Sequence, residues 1–180
     1  IRDSPLEGVY GRIRDVNDVI IGVTESTLSQ DEKDQLLGQA YFLRAWCYYN
    51  LVKWYGGVPI VTDVLEPIAS SVVPRSSTKA CIDFICDDLN TAETLLARFT
   101  GSGQWMSGEN YGRVTSGAAV ALLGRVRLLY ASPMFNRTND VTRWTQAYED
   151  IKRSIGVLTA AGYGLANESN PGINASGWAS

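Results

Sequence analysis

Apolar positions along the chain recur at the spacing of α-helices, and five amphipathic segments can be identified from them. We predict helices at about 5–23, 31–55, 77–97, 116–131 and 141–160. In each segment the apolar residues recur every three or four positions, which places them on one face of a helix. No stretch alternates apolar and polar residues with comparable regularity, so we predict an all-α fold.

The second segment has the strongest helical pattern, and it has a clear end. Its broad apolar face is formed by Leu36, Leu37, Ala40, Tyr41, Leu43, Cys47, Tyr48, Leu51 and Tyr55. Gly56 and Gly57 are expected to end the helix by forming a left-handed cap. Pro59 then disfavours helix at the preceding residue and predicts an extended exit over residues 58–61.

The other segments carry similar signals. The first has Pro5 in its first turn with Ser4 as a cap, and Thr115 can cap the fourth. The stripe of the third consists of Ile82, Ile85, Leu89, Ala92 and Leu96. The small residues of the fourth, which would let another helix approach closely, are Gly117, Ala121 and Gly124. One side of the fifth carries Trp144, Tyr148, Ile151, Ile155 and Leu158.

Helices joined by short or medium loops favour a bundle or an α-solenoid, with residues 1–180 forming part of one helical domain. Residues 165–180 are interpreted as an irregular polar segment. No clean 34-residue repeat is visible, so periodicity alone does not predict a tetratricopeptide-like arrangement. The chain starts at Ile1 without methionine and ends in a polar run, so we interpret it as a piece of a longer polypeptide.

Composition narrows the classes of function. Apolar residues make up 45% of the chain and charged residues 19%, an ordinary balance for a globular protein. The formal net charge of −3 gives no basic field for binding nucleic acid. The chain contains no histidine, which excludes imidazole general bases, Ser-His-Asp triads and HExxH zinc sites within it. A two-carboxylate glycoside hydrolase remains open, because that chemistry needs no histidine.

The three cysteines, Cys47, Cys81 and Cys86, do not form a recognisable metal or redox motif. Their odd number argues against a pure disulfide framework, and the CxxC spacing is absent. We interpret them as small buried hydrophobic residues, with a bridge to Cys47 as the alternative. No cofactor or metal is expected.

Three stretches carry recognisable motifs in a fixed order and spacing. The first, Gly38 to Thr62, reads GQAYFLRAWCYYNLVKWYGGVPIVT. Its Phe-Leu-Arg-Ala helix with a Tyr-Gly and Val-Pro exit resembles that of the SusD/RagB family. The second, Ile82 to Leu96, reads IDFICDDLNTAETLL and resembles the Asp-Leu-x-x-Ala helix. The third, Gly112 to Asn136, reads GRVTSGAAVALLGRVRLLYASPMFN and resembles the Gly-Arg-Val-Thr-x-Gly-Ala helix with its Ser-Pro exit.

This resemblance implies a tetratricopeptide-like helical scaffold and a role in binding rather than catalysis. Family members are lipid-anchored on the outer face of the outer membrane in Bacteroidetes. They bind oligosaccharides, or peptides in some branches, and act with a SusC-like TonB-dependent transporter. The lipid-bearing cysteine, the early ligand loops and the C-terminal half of such a protein would lie outside this chain.

Several charged and conformationally special residues are expected to be structural. Arg44 interrupts the apolar face of the second helix, and a buried arginine needs a carboxylate or several carbonyl groups. We therefore expect an ion pair between adjacent helices, with a ligand-binding arginine as the alternative. Arg113 and Arg125 are interpreted in the same way. Asp88, on the third helix beside Asp83 and Asp87, is expected to lie on a solvated face or to be an ion-pair partner.

Aromatic residues separate into two groups. The run on the second helix is expected to be core or helix packing, with Trp54 and Tyr55 the most exposed. The candidate ligand residues are in loops or the polar tail: Trp105, Asn110, Tyr111 and Trp178. A flat indole can stack on a pyranose ring while amides bond its hydroxyls, and loops carry binding function more often than scaffold helices do.

Three functions follow as hypotheses. The first is a glycan-binding protein that captures an oligosaccharide and passes it to the transporter unchanged. The second is a helical scaffold whose main role is contact with the transporter. The third is a two-carboxylate glycoside hydrolase, which would need two acids at the right separation across a cleft, a property that the sequence does not show.

Overall fold

The structure, a computed structural model, describes residues 7–63, 73–99, 110 and 112–163. Its five α-helices are α1 (Glu7–Glu25), α2 (Gln30–Tyr55), α3 (Thr78–Leu96), α4 (Ser116–Ala131) and α5 (Val141–Ala160). Within these ranges there is no β-strand. The all-α prediction is confirmed, and each helix begins and ends within two residues of its expected bounds where those fall in the described ranges. Ser4 and Pro5 lie outside them.

The helix starts are fixed by side chains that accept from free backbone amides. Ser29 and Glu32 form a reciprocal capping box at α2, in which the Ser29 amide donates to the Glu32 carboxylate at 2.9 Å. Ser77, Thr115 and Asp140 cap the three later helices. These caps satisfy amides that have no partner inside the helix, which explains why the helices begin at these positions.

The helices are layered in chain order. Every substantial helix–helix contact in the described part of the chain joins consecutive elements: α1 with α2, α2 with α3, α3 with α4, and α4 with α5. The core lies in the middle of this stack, where residues of α2, α3 and α4 are inaccessible to solvent. Its most buried side chains include Ala45, Tyr48, Val52, Ile82, Ile85, Leu89, Ala119, Val120 and Val126.

The two glycines after α2 have different roles, which corrects the expectation that both form the cap. Gly56 has a φ of 68° and ends the helix, and its amide donates to Val52. Gly57 has no positive φ. A Cβ atom on Gly57 would lie 2.1 Å from the carbonyl oxygen of Ser76, so glycine is needed there because two backbone segments meet.

The buried residues of the fifth helix at its contact with α4 are small. Most side chains of the apolar stripe that was predicted for this helix remain exposed to solvent. Its two buried residues are Ala147 and Ser154. The Ser154 hydroxyl donates to the Val120 carbonyl at 2.8 Å. A Cβ on Gly124 would lie 3.1 Å from Ile151, which confirms that small residues of α4 allow close approach. Most of the large apolar side chains of α5 remain on the surface.

None of the helices in the described ranges combines the length and the hydropathy that crossing a bilayer would require.

Candidate functional site

The central polar feature of the molecule is a buried ion pair between α2 and α3. Arg44 donates from Nε and from an Nη atom to the two carboxylate oxygens of Asp88, each at 2.8 Å. Its other Nη donates to the Asn17 side-chain oxygen of α1 at 3.0 Å. All three residues are buried. One guanidinium therefore joins three successive helices through a bidentate pair and an additional hydrogen bond.

Burial and pairing act in opposite directions on this pair. Burial raises the pKa of the Asp88 carboxyl above its usual value, while the hydrogen bonds from Arg44 lower it. Burial favours the neutral form of Arg44, but the Asp88 carboxylate outweighs this effect and keeps the pKa of the guanidinium above its usual value. The bidentate pair with Asp88 and the bond to Asn17 give this buried guanidinium the partners that a structural arginine requires.

Side chains from the first two helices hold the extended segment after α2. The Asn17 amide donates to the Val61 carbonyl at 3.0 Å, and the Val61 amide donates to the Tyr48 hydroxyl at 2.8 Å. The Tyr10 hydroxyl donates to the Pro59 carbonyl at 2.9 Å. These contacts supply partners that a neighbouring strand would otherwise provide. Residues 58–61 are thus fixed against the helical frame.

The cysteines are free and buried, as their interpretation as small hydrophobic residues predicted. Burial raises the pKa of the Cys86 thiol to about 12. The Cys81 thiol donates to the Val58 carbonyl at 3.4 Å, and burial raises its pKa as well. A thiol with a raised pKa carries little thiolate at neutral pH, so these side chains are poor nucleophiles and poor metal ligands.

The four candidate ligand residues are not brought together in the described part of the chain. Trp105, Tyr111 and Trp178 lie outside the described residues. Asn110 is half-buried, and its backbone carbonyl accepts a hydrogen bond from the Arg113 amide at 3.2 Å. Their assignment as ligand contacts stays a prediction.

The other two arginines expected to be structural differ from Arg44. Arg113 and Arg125 are exposed, and neither lies within ion-pair distance of a carboxylate among the described residues. In α4 it is Arg127 that pairs, with Asp150 of α5 at 3.1 Å. The sequence singled out Arg125 and missed Arg127. Both are close in sequence, and only the packing of α5 distinguishes them.

A concave surface that the sequence did not reveal lies between α1 and α2. It is a groove of about 270 Å³ with apolar walls and a polar rim that includes Asp15, Gln39 and Arg113. Its apolar residues are Val16, Val19, Leu36, Ala40 and Leu43. Leu36 and Leu43 recur at helical spacing, and this pattern could have indicated the groove, but the pattern alone assigns both residues to the core.

No set of three or more acidic, cysteine or histidine side chains suited to a metal ion occurs among the described residues.

Comparison with known proteins now identifies the family. A family model described as "SusD-like_3: Starch-binding associating with outer membrane" matches residues 5–128. The chain belongs to the SusD-like family. The matched range contains the Arg44–Asp88 pair, the extended segment after α2 and most of α4.

Relatives of this SusD-like chain agree in sequence and in fold. A SusD-like protein from Bacteroides ovatus is 27% identical over 124 residues, which is 67% of this chain and 21% of that protein. The crystal structure of a SusD-like protein from Bacteroides fragilis is 35% identical with a TM-score of 0.70, covering 89% of this chain and 27% of that one. A crystal structure with a xylogluco-oligosaccharide is 27% identical with a TM-score of 0.69, covering 88% and 29%.

These findings confirm the tetratricopeptide-like helical architecture and the relationship to proteins of Bacteroidetes that were expected from the sequence. This SusD-like chain spans about a quarter of the length of the solved structures named above.

Proposed function

We propose that this chain is the helical frame of a surface glycan-binding protein that captures an oligosaccharide for uptake across the outer membrane. The observation that carries the proposal is the match of residues 5–128 to a starch-binding, outer-membrane-associated family. A relative of the same fold has been crystallised with a xylogluco-oligosaccharide, which supports an oligosaccharide as the ligand class. The protein is held at the outer membrane by a lipid anchor outside this chain.

The proposed mechanism is capture and release without a chemical step. Residues 1–180 contain no histidine that could serve as a general base, and the three cysteines of this chain are buried with raised pKa values. The Arg44–Asp88 pair is used internally, so it supplies rigidity rather than a reactive group. Stacking by Trp105, Tyr111 and Trp178, with hydrogen bonds from Asn110, is the proposed contribution of this chain to the ligand contacts. The captured oligosaccharide passes to a SusC-like TonB-dependent transporter.

Calorimetry with the full-length protein tests this proposal. A xylogluco-oligosaccharide and a starch oligosaccharide are titrated in turn, and the ligand is recovered and analysed by mass spectrometry. We expect saturable binding of at least one of them and recovery of the intact ligand. Trp105→Ala is expected to weaken binding by about 1–3 kcal/mol, the range for loss of one stacking aromatic.

Trp54→Ala is the matched control for that titration. Trp54 is 75% exposed at the end of a scaffold helix, so its removal leaves glycan affinity unchanged if the ligand contacts lie in the loops. Absence of binding to any oligosaccharide offered, or shortened products in the recovered ligand, would contradict the proposal. Shortened products would instead favour the two-carboxylate hydrolase.

A second candidate function is contact with the transporter through the outer face of α2. Large apolar side chains are exposed on that face at helical spacing: Leu36, Leu43, Trp46 and Trp54. Exposed apolar residues in one row are typical of a protein–protein interface. If this face is the main functional surface, Leu43→Glu abolishes co-purification with the transporter while Trp105→Ala leaves it intact. Co-purification that survives Leu43→Glu would instead favour glycan capture as the role of the chain.

A further inference from the structure

A concavity of mixed polar and apolar character lies at the connection between α4 and α5. Its volume is about 270 Å³, just below the range for drug-sized ligands, so it suits a single sugar unit rather than a whole oligosaccharide. Its lining includes Arg137 and Asn139 of the connection and Trp144 of the first turn of α5. Trp144 is 39% exposed, so part of its indole is accessible to a ligand.

The polar groups of these three side chains are available to a ligand. Among the described residues, none of them has a hydrogen-bond partner for its side chain, and no carboxylate lies within ion-pair distance of Arg137. The nearest acid along the chain is Asp140, whose carboxylate is already engaged. It accepts from the Thr142 amide at 2.9 Å and lies 3.7 Å from the Nε atom of Arg143. Arg137 is therefore a cation whose charge no described acid balances.

The connection itself is fixed by a buried side chain. The Asn136 amide group donates to the Asp140 carbonyl at 2.9 Å, and its oxygen accepts from the Asp140 backbone amide at 2.8 Å. Asn139 has a φ of 50°, and its backbone amide donates to the Asn136 carbonyl at 3.0 Å. Arg143 of α5 donates to the Phe135 carbonyl at 2.8 Å. A ligand would bind to a connection that is already ordered, which lowers the entropic cost of binding.

The chemistry of the lining favours a ligand that is rich in hydrogen-bond acceptors. An indole N–H and a guanidinium only donate, whereas an amide can donate and accept. The planar guanidinium matches a carboxylate or a similar oxyanion with two parallel hydrogen bonds. The exposed part of the Trp144 indole offers an apolar surface on which a pyranose ring can stack.

We propose that this concavity is a second glycan contact and that it binds an anionic sugar unit, which carries a carboxylate or a sulfate group. Trp144 stacks on the sugar ring, Arg137 binds the anionic group and the Asn139 amide binds a hydroxyl. The proposal rests on the proposed function, since it takes the ligand to be an oligosaccharide, and it narrows the class of glycan. Its residues are separate from the loop and tail residues proposed above as ligand contacts.

Calorimetry of the full-length protein with three probes tests the charge of the ligand. The probes are a short oligogalacturonate, which carries carboxylates, a carrageenan oligosaccharide, which carries sulfates, and a neutral xylogluco-oligosaccharide. We expect at least one anionic probe to bind the wild type. Arg137→Ala should weaken that binding by roughly tenfold, because it removes a charge-assisted pair of hydrogen bonds. Affinity for the neutral probe should stay within about twofold, because its hydroxyls carry no charge for Arg137 to bind.

Two further variants test the other contacts with the anionic probe. Trp144→Ala should weaken binding by roughly tenfold, as expected for the loss of a stacking aromatic ring. Asn139→Gly should weaken it by roughly threefold, since glycine accepts the positive φ and only the amide group is lost. Trp54→Ala and Arg125→Ala are the matched controls. Both residues are exposed and lie outside the concavity, so the affinity should not change.

The possible results separate this proposal from the proposed function. If the wild type binds an oligosaccharide and neither Arg137→Ala nor Trp144→Ala alters binding, the concavity is not a glycan contact and the proposed function stands. Binding of the neutral probe alone, or equal losses for neutral and anionic probes in Arg137→Ala, would exclude an anionic sugar. Unchanged melting temperatures of the variants show that a loss of affinity does not come from unfolding. Failure of the wild type to bind any of the probes would count against both proposals.

Discussion

Arg44 shows how a single charged residue can organise three helices. Its guanidinium is removed from water, so protein groups must replace the hydrogen bonds that water would otherwise make with it. Asp88 and Asn17 make this replacement, and the rings of Tyr41 and Phe84 lie 5.2 and 5.0 Å from the guanidinium carbon. The pair fixes the relative position of α2 and α3, and Asn17 adds α1 to the same contact.

Removing one partner of this pair should be strongly destabilising. Asp88→Asn leaves the Arg44 charge buried without its counter-ion, and we expect a loss of about 3–5 kcal/mol in the free energy of unfolding. Urea unfolding followed by circular dichroism measures it.

The control is a half-exposed ion pair on the surface. Arg153 of α5 pairs with Glu93 at 2.6 Å, and Glu93→Gln should cost less than about 1 kcal/mol because solvent screens that pair. Equal losses for Asp88→Asn and Glu93→Gln would show that burial of the Arg44 pair has no energetic consequence.

The two glycine positions provide a second test at the level of single residues. Gly57→Ala places a methyl group 2.1 Å from the Ser76 carbonyl, so backbone must move, and we expect roughly 1–3 kcal/mol of destabilisation. Gly156→Ala lies inside α5 with open space around it and should stabilise the protein by up to about 1 kcal/mol. Thermal unfolding of the two variants should shift in opposite directions, and a neutral Gly57→Ala would refute the close-approach argument.

Sequence reasoning predicted the need of Arg44 for a partner but could not name it. Asp83, Asp87 and Asp88 lie on one helix, and the choice among them depends on the rotation of α3 against α2, which is a tertiary property. The prediction that Gly57 forms part of the helix cap was wrong for a similar reason. A glycine after a helix predicts a cap, whereas the approach of Ser76 depends on a segment almost twenty residues away.

At the level of elements, helix bounds were predictable because they depend on local chemistry. Periodicity, caps and glycines act within a few residues of each helix end, and all are visible in the sequence. The end of α2 has an additional long-range contribution. Arg75 donates to the carbonyls of Gly57 and Tyr55 at 2.6 and 2.5 Å, satisfying groups at the negative end of the helix dipole. No local signal identifies that arginine.

The capping box of α2 makes a pH-dependent contribution that can be isolated. Hydrogen bonds from Ser29 lower the pKa of the Glu32 carboxyl below its usual 4.5. The contribution of the carboxylate is therefore complete above pH 4.5 and disappears as pH falls through the lowered folded-state pKa. Glu32→Gln keeps a capping acceptor that does not titrate.

Melting temperatures of the wild type and Glu32→Gln should be compared between pH 3 and pH 7 by circular dichroism. We expect the advantage of the wild type to be greatest above about pH 4.5 and to shrink in acid, because only its acceptor becomes protonated. A difference that stays constant over this range would exclude the carboxylate as the source.

The amphipathic pattern of α5 predicted its helix but not its neighbours. The spacing of apolar residues indicates which face of a helix is apolar, but it does not indicate whether that face packs on the adjacent helix. Here Ala147 and Ser154 are buried at the contact with α4, and Ile151 lies against Gly124 of α4. Other large apolar side chains of α5, such as Tyr148, remain exposed.

For the whole molecule, the sequence resemblance and the helical pattern together predicted the architecture, and the family match confirms it. The candidate ligand site was less accessible to prediction. Trp105, Tyr111 and Trp178 have no helical period that would fix their positions, and the contribution of loop residues depends on the surfaces around them. Family membership gives the ligand class for the proposal, while the choice of glycan depends on side-chain placement that the pattern does not determine.

The thiols report on the integrity of the whole core. Cys47, Cys81 and Cys86 are buried in the same apolar cluster, and burial raises the pKa of each. All three should resist a disulfide reagent such as DTNB at pH 7.5 and react together once the chain is unfolded in guanidinium chloride. Prompt reaction of any one of them with the folded protein would mean that the helical layers open independently.

The layering of helices in chain order has a consequence for how the protein is made. A polypeptide is synthesised from the N-terminus onward, and each new helix of this chain finds its packing surface in the helix that has just preceded it. Contacts between consecutive helices join segments that are near in the sequence, which favours rapid folding over architectures that depend on pairing of distant segments. The ion pair of Arg44 can form as soon as α3 has been synthesised, so the first three layers can be fixed before α4 and α5 are complete.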